Sequence, residues 1–105
     1  MTERTFVRWD DELQEAVGRL IGREGFSATA RILHMPERNL TDLRNGYSRS
    51  GFKSGRRTKR KFLSLALLER LADALDEPEV ESREALTQQQ WCDRGDWAYL
   101  PRTAA

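Results

Sequence analysis

Apolar residues recur along the first third of the chain at helical spacing. Leu13, Ala16, Val17, Leu20 and Ile21 stand at offsets of zero, three, four, seven and eight, which is one face of an α-helix. Asp10 is placed to cap that helix. Asp11 and Glu12 lie in its first turn, near the positive helix end, and Gly25 can take the left-handed conformation that stops it. The pattern predicts a first helix over residues 11–24. A short second helix is expected over 28–34, with Ser27 as its cap and Ala30 and Leu33 inward. Pro36 suits a first helical position, so a third helix runs to about residue 45, with Leu40 and Leu43 inward and Gly46 closing it.

Residues 46–61 read GYSRSGFKSGRRTKRK and show no periodicity, so they predict a loop or arm. From 62 to 75 the apolar density rises. Phe62, Leu65, Leu68, Ala72 and Leu75 form one stripe, and Leu63, Leu67, Leu71 and Ala74 form a second. A helix apolar on two faces is central in a core or shared with a partner. Residues 76–78, Asp-Glu-Pro, end it. Further on, Ser82 is expected to cap a helix reaching about Trp91, and the alternation of Trp97, Tyr99 and Leu100 predicts a short extended segment. The expected architecture is all-α, with four to five helices. Residues 1–78 form the main domain, and residues 79–105 form a tail that is a candidate dimerisation element through Trp91, Trp97 and Tyr99, alongside Leu67 and Leu71.

With 105 residues there is room for one domain and one core. A hydrophobic share of 38% against 33% charged, with three prolines and seven glycines, agrees with a helical expectation. Cys92 is the one cysteine and His34 the one histidine, so neither an internal disulfide nor a zinc ligand set is expected. No apolar run nears the roughly 18 residues of a membrane span, and residues 1–9 are too polar for a signal peptide. These features suit a reduced, cytoplasmic setting. No cofactor is expected.

The net charge of +1 is unevenly spread. Residues 23–61 carry eleven Lys and Arg against three acids, a net +8, while residues 1–22 carry −2 and residues 62–105 carry −5. Local charge decides whether a surface attracts phosphates. Within this basic block, residues 27–46 satisfy the demands of a helix-turn-helix. Ala30 is the small residue of the first helix, Leu33 and Met35 bracket the turn, and Leu40 and Leu43 anchor the second helix. Glu37, Arg38, Asn39, Thr41, Asp42, Arg44 and Asn45 are then expected to point outward, where Arg and Asn can read guanine and adenine.

The run Ala-Arg-Ile-Leu-His-Met-Pro-Glu-Arg-Asn-Leu-Thr-Asp-Leu-Arg-Asn-Gly at 30–46 resembles the lambda-repressor-like, Cro-type helix-turn-helix regulators of phages, plasmids and bacteria. The run at 64–75 resembles the helix that follows the motif in that family. Together with the first helix, the resemblance covers about residues 10 to 77. It implies that Glu37, Arg38, Asn39, Thr41 and Asp42 face bases and that Ser27, Thr29, Arg31, Arg44 and Asn45 lie near phosphates. It also implies a cytoplasmic, nucleoid-associated repressor, a homodimer on palindromic double-stranded DNA. Two departures stand out. His34 occupies the turn position that is usually Gly, and the link of residues 46–61 is longer than usual. That link carries Arg49, Lys53, Arg56, Arg57, Lys59, Arg60 and Lys61 with no acid, interleaved by Tyr47 and Phe52. It suits phosphate or minor-groove contact.

Plainer readings exist. The motif could be an ordinary helical hairpin and the link a solvated loop. The chain could instead be a small phage or plasmid factor that binds a host protein through its tail, or a nonspecific nucleic-acid binder. His34 reads as a turn residue rather than a ligand, and Asp10, Asp11 and Glu12 as a capped helix start rather than catalytic carboxylates. No nucleophile–base pair or phosphate-cradling glycine loop points to an enzyme.

Overall fold

The computed structural model describes residues 4–49 and 57–96. In chain order the elements are β1 (Thr5–Arg8), α1 (Asp11–Glu24), α2 (Phe26–Ile32), α3 (Glu37–Arg44), β2 (Tyr47–Arg49), β3 (Arg57–Lys59), β4 (Phe62–Ser64), α4 (Leu65–Leu75), a 3-10 turn (Pro78–Glu81), β5 (Leu86–Thr87) and α5 (Gln88–Asp93). The all-α expectation is overturned. β1 is the centre of a three-stranded antiparallel sheet of order β4-β1-β5, and β2 pairs with β3 in a separate ribbon. The domain therefore mixes helix and sheet.

Thr5, Phe6 and Val7 are strand formers, but four residues are too few to show a period. Their partners are distant in sequence: Val7 faces Leu63, and Phe6 faces Ser64 on one side and Leu86 on the other. The Trp9 amide donates to the Lys61 carbonyl at 2.9 Å and prolongs the β1–β4 ladder. Phe62 and Leu63, expected as the first turn of a helix, belong to this strand. Ser64 ends it and caps α4 by accepting from the Leu67 amide. Both apolar stripes of that segment are used inside the chain, since Leu63, Leu68, Leu71 and Leu75 are all buried.

α1 runs as expected. Leu13, Ala16, Val17 and Leu20 are buried and meet Ala30, Leu33, Leu40 and Leu43 in one core with Val7 and the α4 leucines. Gly25 joins α1 to α2 at φ +88°, a conformation that suits glycine, and its carbonyl starts α2 in place of the expected Ser27 cap. The tail also differs from expectation. α5 begins at Gln88, capped by a Thr87/Gln90 capping box rather than by Ser82. Trp91 is buried against Phe62, with centroids 5.2 Å apart, and its indole N–H donates to the Phe6 carbonyl at 2.9 Å. The guanidinium groups of Arg8 and Arg94 lie over its ring. Residues 86–93 are thus part of the packed unit. Trp97, Tyr99 and Leu100 lie outside the described residues. Among the described residues, no helix is long and apolar enough to cross a membrane.

Arg83 reaches back from beyond the 3-10 turn to Asp10 and Glu12 at the start of α1. Asp10 therefore caps α1 through the Leu13 amide at 3.1 Å and also holds Arg83. Desolvation would raise its pKa, but the hydrogen bonds from Arg83 and the Leu13 amide, with the Arg83 charge, outweigh it and hold the carboxyl below its usual 3.8. A lowered folded pKa means that the stabilisation is complete above pH 3.8 and is lost as pH falls from there through the folded-state value. Asp10→Ala is expected to cost about 1 kcal/mol in urea unfolding at neutral pH. Asp10→Asn keeps the cap acceptor, costs a few tenths because the pair is half exposed, and flattens the loss of stability on the acid side.

Candidate nucleic-acid interface

The centre of the motif is the turn between α2 and α3. The His34 amide donates to the Arg31 carbonyl at 3.1 Å and the Met35 amide to the Ala30 carbonyl at 3.0 Å. This is the paired closure of a Schellman motif, with His34 at φ +56° in the left-handed position that glycine favours. His34 thus marks no distortion. The usual turn is made, with a histidine carrying the backbone strain. Leu33 is buried behind it, and Met35 packs half-buried against the core.

Two side chains fix α2 to its neighbours. The Thr29 hydroxyl lies 2.7 Å from the Gly25 carbonyl at the start of α2 and 3.4 Å from the Leu20 carbonyl of α1, to which it can donate, and the residue is fully buried. Ser27 Oγ donates to Glu37 Oε2 at 3.1 Å, tying the start of α2 to the start of α3. Thr29, expected near phosphates, is therefore spent on the fold, whereas Ser27 and Arg31 are exposed.

On α3, Leu40 and Leu43 face the core. Glu37, Arg38, Thr41, Arg44 and Asn45 share the opposite side at helical spacing. All of these are exposed except Thr41, which is half-buried and whose hydroxyl donates to the Glu37 carbonyl at 3.1 Å. The Arg44 guanidinium lies 5.3 Å from the centre of the Phe26 ring. Asp42 corrects the sequence expectation. It is 3% exposed rather than outward-facing, because β2 packs along that flank of α3. Asn39 is exposed at the rim of a cleft of about 360 Å³ that Asp42, Ser48, Arg60 and Phe6 also line.

The expected arm is a ribbon where it is described. β2 follows α3 after two residues and pairs with β3 in the register Tyr47–Lys59, Ser48–Thr58 and Arg49–Arg57. Tyr47 is the large apolar side chain most open to solvent among the described residues, at 43% exposure, and Lys59 and Lys61 are also exposed. Arg60 is used differently from expectation. Its amide donates to the Gly46 carbonyl at 2.8 Å, and its guanidinium donates to the carbonyls of Tyr47 and Phe62. It also lies over the Trp9 ring. Arg60 braces the base of the ribbon instead of reaching outward. Lys53, Arg56 and Phe52 lie outside the described residues.

The structure therefore leaves Glu37, Arg38, Arg44, Asn45, Tyr47 and Lys59 exposed on α3, its C-cap and the strands that follow, whereas Thr29 and Asp42 are buried and Arg60 is bonded at the base of the ribbon. Of the expected dimer contacts, Leu71 and Trp91 are buried in the chain's own core and Leu67 is half-buried beside the cleft, so none of the three offers an open apolar surface. Gln14 was not singled out by sequence, because a polar residue on the solvent side of a helix carries no pattern. Among the described residues, no group of three or more His, Cys, Asp or Glu side chains is placed to hold a metal ion.

Comparison of the chain with family models, curated proteins and solved structures finds no match to any of them.

The left-handed His34 gives a direct test of the turn. His34→Gly removes the steric cost of a Cβ at positive φ and is expected to stabilise the fold by about 0.5–1 kcal/mol in chemical denaturation. Destabilisation would mean that the imidazole makes a contact worth more than the strain.

Proposed function

We propose that this chain is a sequence-specific double-stranded DNA-binding regulator that acts by binding without chemistry. The outer side of α3 enters the major groove, and the basic ribbon that follows it lies on the sugar–phosphate backbone. Occupancy of an operator, excluding other proteins from it, is the regulatory consequence.

One observation carries the reading. A buried-faced α2–turn–α3 pair, closed at the correct turn position, turns a polar and partly basic helix face to solvent beside a cationic ribbon. An ordinary amphipathic hairpin also exposes polar residues; what favours the reading is that the exposed side of α3 carries Arg38, Arg44 and Asn45 next to the basic strands 47–49 and 57–59. The net +8 of residues 23–61 supplies the attraction that any such contact needs. Arg38 is the best base reader, since it lies exposed in the first turn of α3 and can meet guanine bidentately. Lys59, Lys61 and Arg31 suit phosphates. The Ser27–Glu37 bond orients Glu37.

Selection of bound duplexes from a random pool tests the reading directly. A defined consensus is expected, and indifference to duplex DNA at low salt would overturn it. On that consensus, Arg38→Ala should cost roughly 1–3 kcal/mol and relax preference at one base position, with binding to random duplex nearly unchanged. Lys59→Ala should instead weaken binding to all sequences and reduce the salt slope by about one.

A further inference from the structure

α3 and β2 are joined by Asn45 and Gly46 alone, and this junction is held from outside by α1. Gln14, half-buried on α1, donates from Nε2 to the carbonyl of Arg44 at 3.0 Å. Arg44 is the last residue of α3. The same carboxamide lies against Gly46, where an added Cβ would meet Gln14 Oε1 at 2.8 Å. Gly46 itself sits at φ +80°, and its carbonyl accepts the Arg60 amide that follows β3. One side chain thus touches the end of the exposed helix and the glycine from which both strands of the ribbon are anchored.

A carbonyl at a helix C-terminus needs no protein partner, because water serves it as well. The Gln14 bond is therefore not required for α3 to exist. What it does is limit where α3 can point relative to the ribbon. A groove contact and a backbone contact reinforce each other only if their spacing is set before binding. Otherwise the second contact must bear the cost of ordering the first.

From this geometry we infer that Gln14 is a positioning residue that sets the angle between α3 and the ribbon, so that the two engage duplex DNA as one unit. The inference rests on the DNA-binding reading above. It predicts a residue that touches no DNA yet governs discrimination. Nonspecific binding needs only cationic groups near phosphates, and it tolerates a loose junction. Base reading does not.

The test compares the wild type with Gln14→Met, which keeps length but has no donor, and with Gln14→Ala, which removes the carboxamide; neither changes the charge beside Lys59. Thermal midpoints and affinities for the selected duplex and for random duplex are measured at one salt concentration. Both variants are expected to melt within a few degrees of wild type and to bind random duplex within about twofold. Their affinity for the selected duplex should fall about five- to tenfold, the scale of one lost hydrogen bond. A purely structural role would shift both affinities together with the midpoint and leave their ratio unchanged, and that result overturns the inference. Should Gln14→Met fail to fold, the ratio is read from Gln14→Ala, and the exchange rate of the Arg60 amide reports whether the junction has loosened. If the wild type selects no duplex, the DNA-binding reading itself falls. If Arg38→Ala abolishes discrimination while both Gln14 variants retain it, only the positioning role falls.

Discussion

Strand β1 is paired on both edges, and the remaining architecture leans on that pairing. Its four residues hold β4 on one side and β5 on the other, and Val7 enters the core between them. Remove β1 and two short strands lose their ladder, since neither β4 nor β5 pairs with the other. The same pairing seats Trp91 through the Phe6 carbonyl and brings Lys61 beside Trp9. It thereby fixes the base of the ribbon and, through Gly46, the far end of α3. The sheet residues Phe6 and Phe62 share a cleft with Asn39 and Asp42 of α3.

The candidate interface shows a division between side chains that are free and side chains that are committed. Thr29, Asp42 and Arg60 are polar or charged in a segment where such residues invite a DNA role. Burial and backbone hydrogen bonds commit Thr29 and Arg60 to the fold, and β2 covers Asp42. What is left open on α3 is a narrower set than composition suggests. That economy is physically reasonable. A helix of eight residues such as α3 has few core contacts of its own, so its neighbours hold it with polar bonds as well as with Leu40 and Leu43.

Legibility in the sequence followed locality. α1 was readable because its five apolar positions, cap and stop lie within sixteen consecutive residues, Asp10 to Gly25. The turn of the motif was readable in position, though His34 obscured that the ordinary left-handed closure is made. The sheet was not readable, because β1 and β5 are short and their partners lie far along the chain, beyond any window of periodicity. Phe62 and Leu63 fitted a helical stripe and a strand equally well, and only pairing with β1 decides between them. The burial of Asp42 followed from the same omission. A link read as a free arm leaves the flank of α3 open, whereas a ribbon packed beside it does not.

The position of β1 in the chain has a consequence for the order of assembly. Contacts among α1, α2 and α3 close over short loops, so their entropic cost is met early. β1 precedes all of them in the chain, yet its partners at 62–64 and 86–87 come only after α3. During synthesis β1 waits as an unpaired, β-prone segment until residues 62–64 have left the ribosome, and its second edge until 86–87 have. The α1–α3 unit is thus the part of this domain that can form early, and the sheet that anchors it is a late, nonlocal lock.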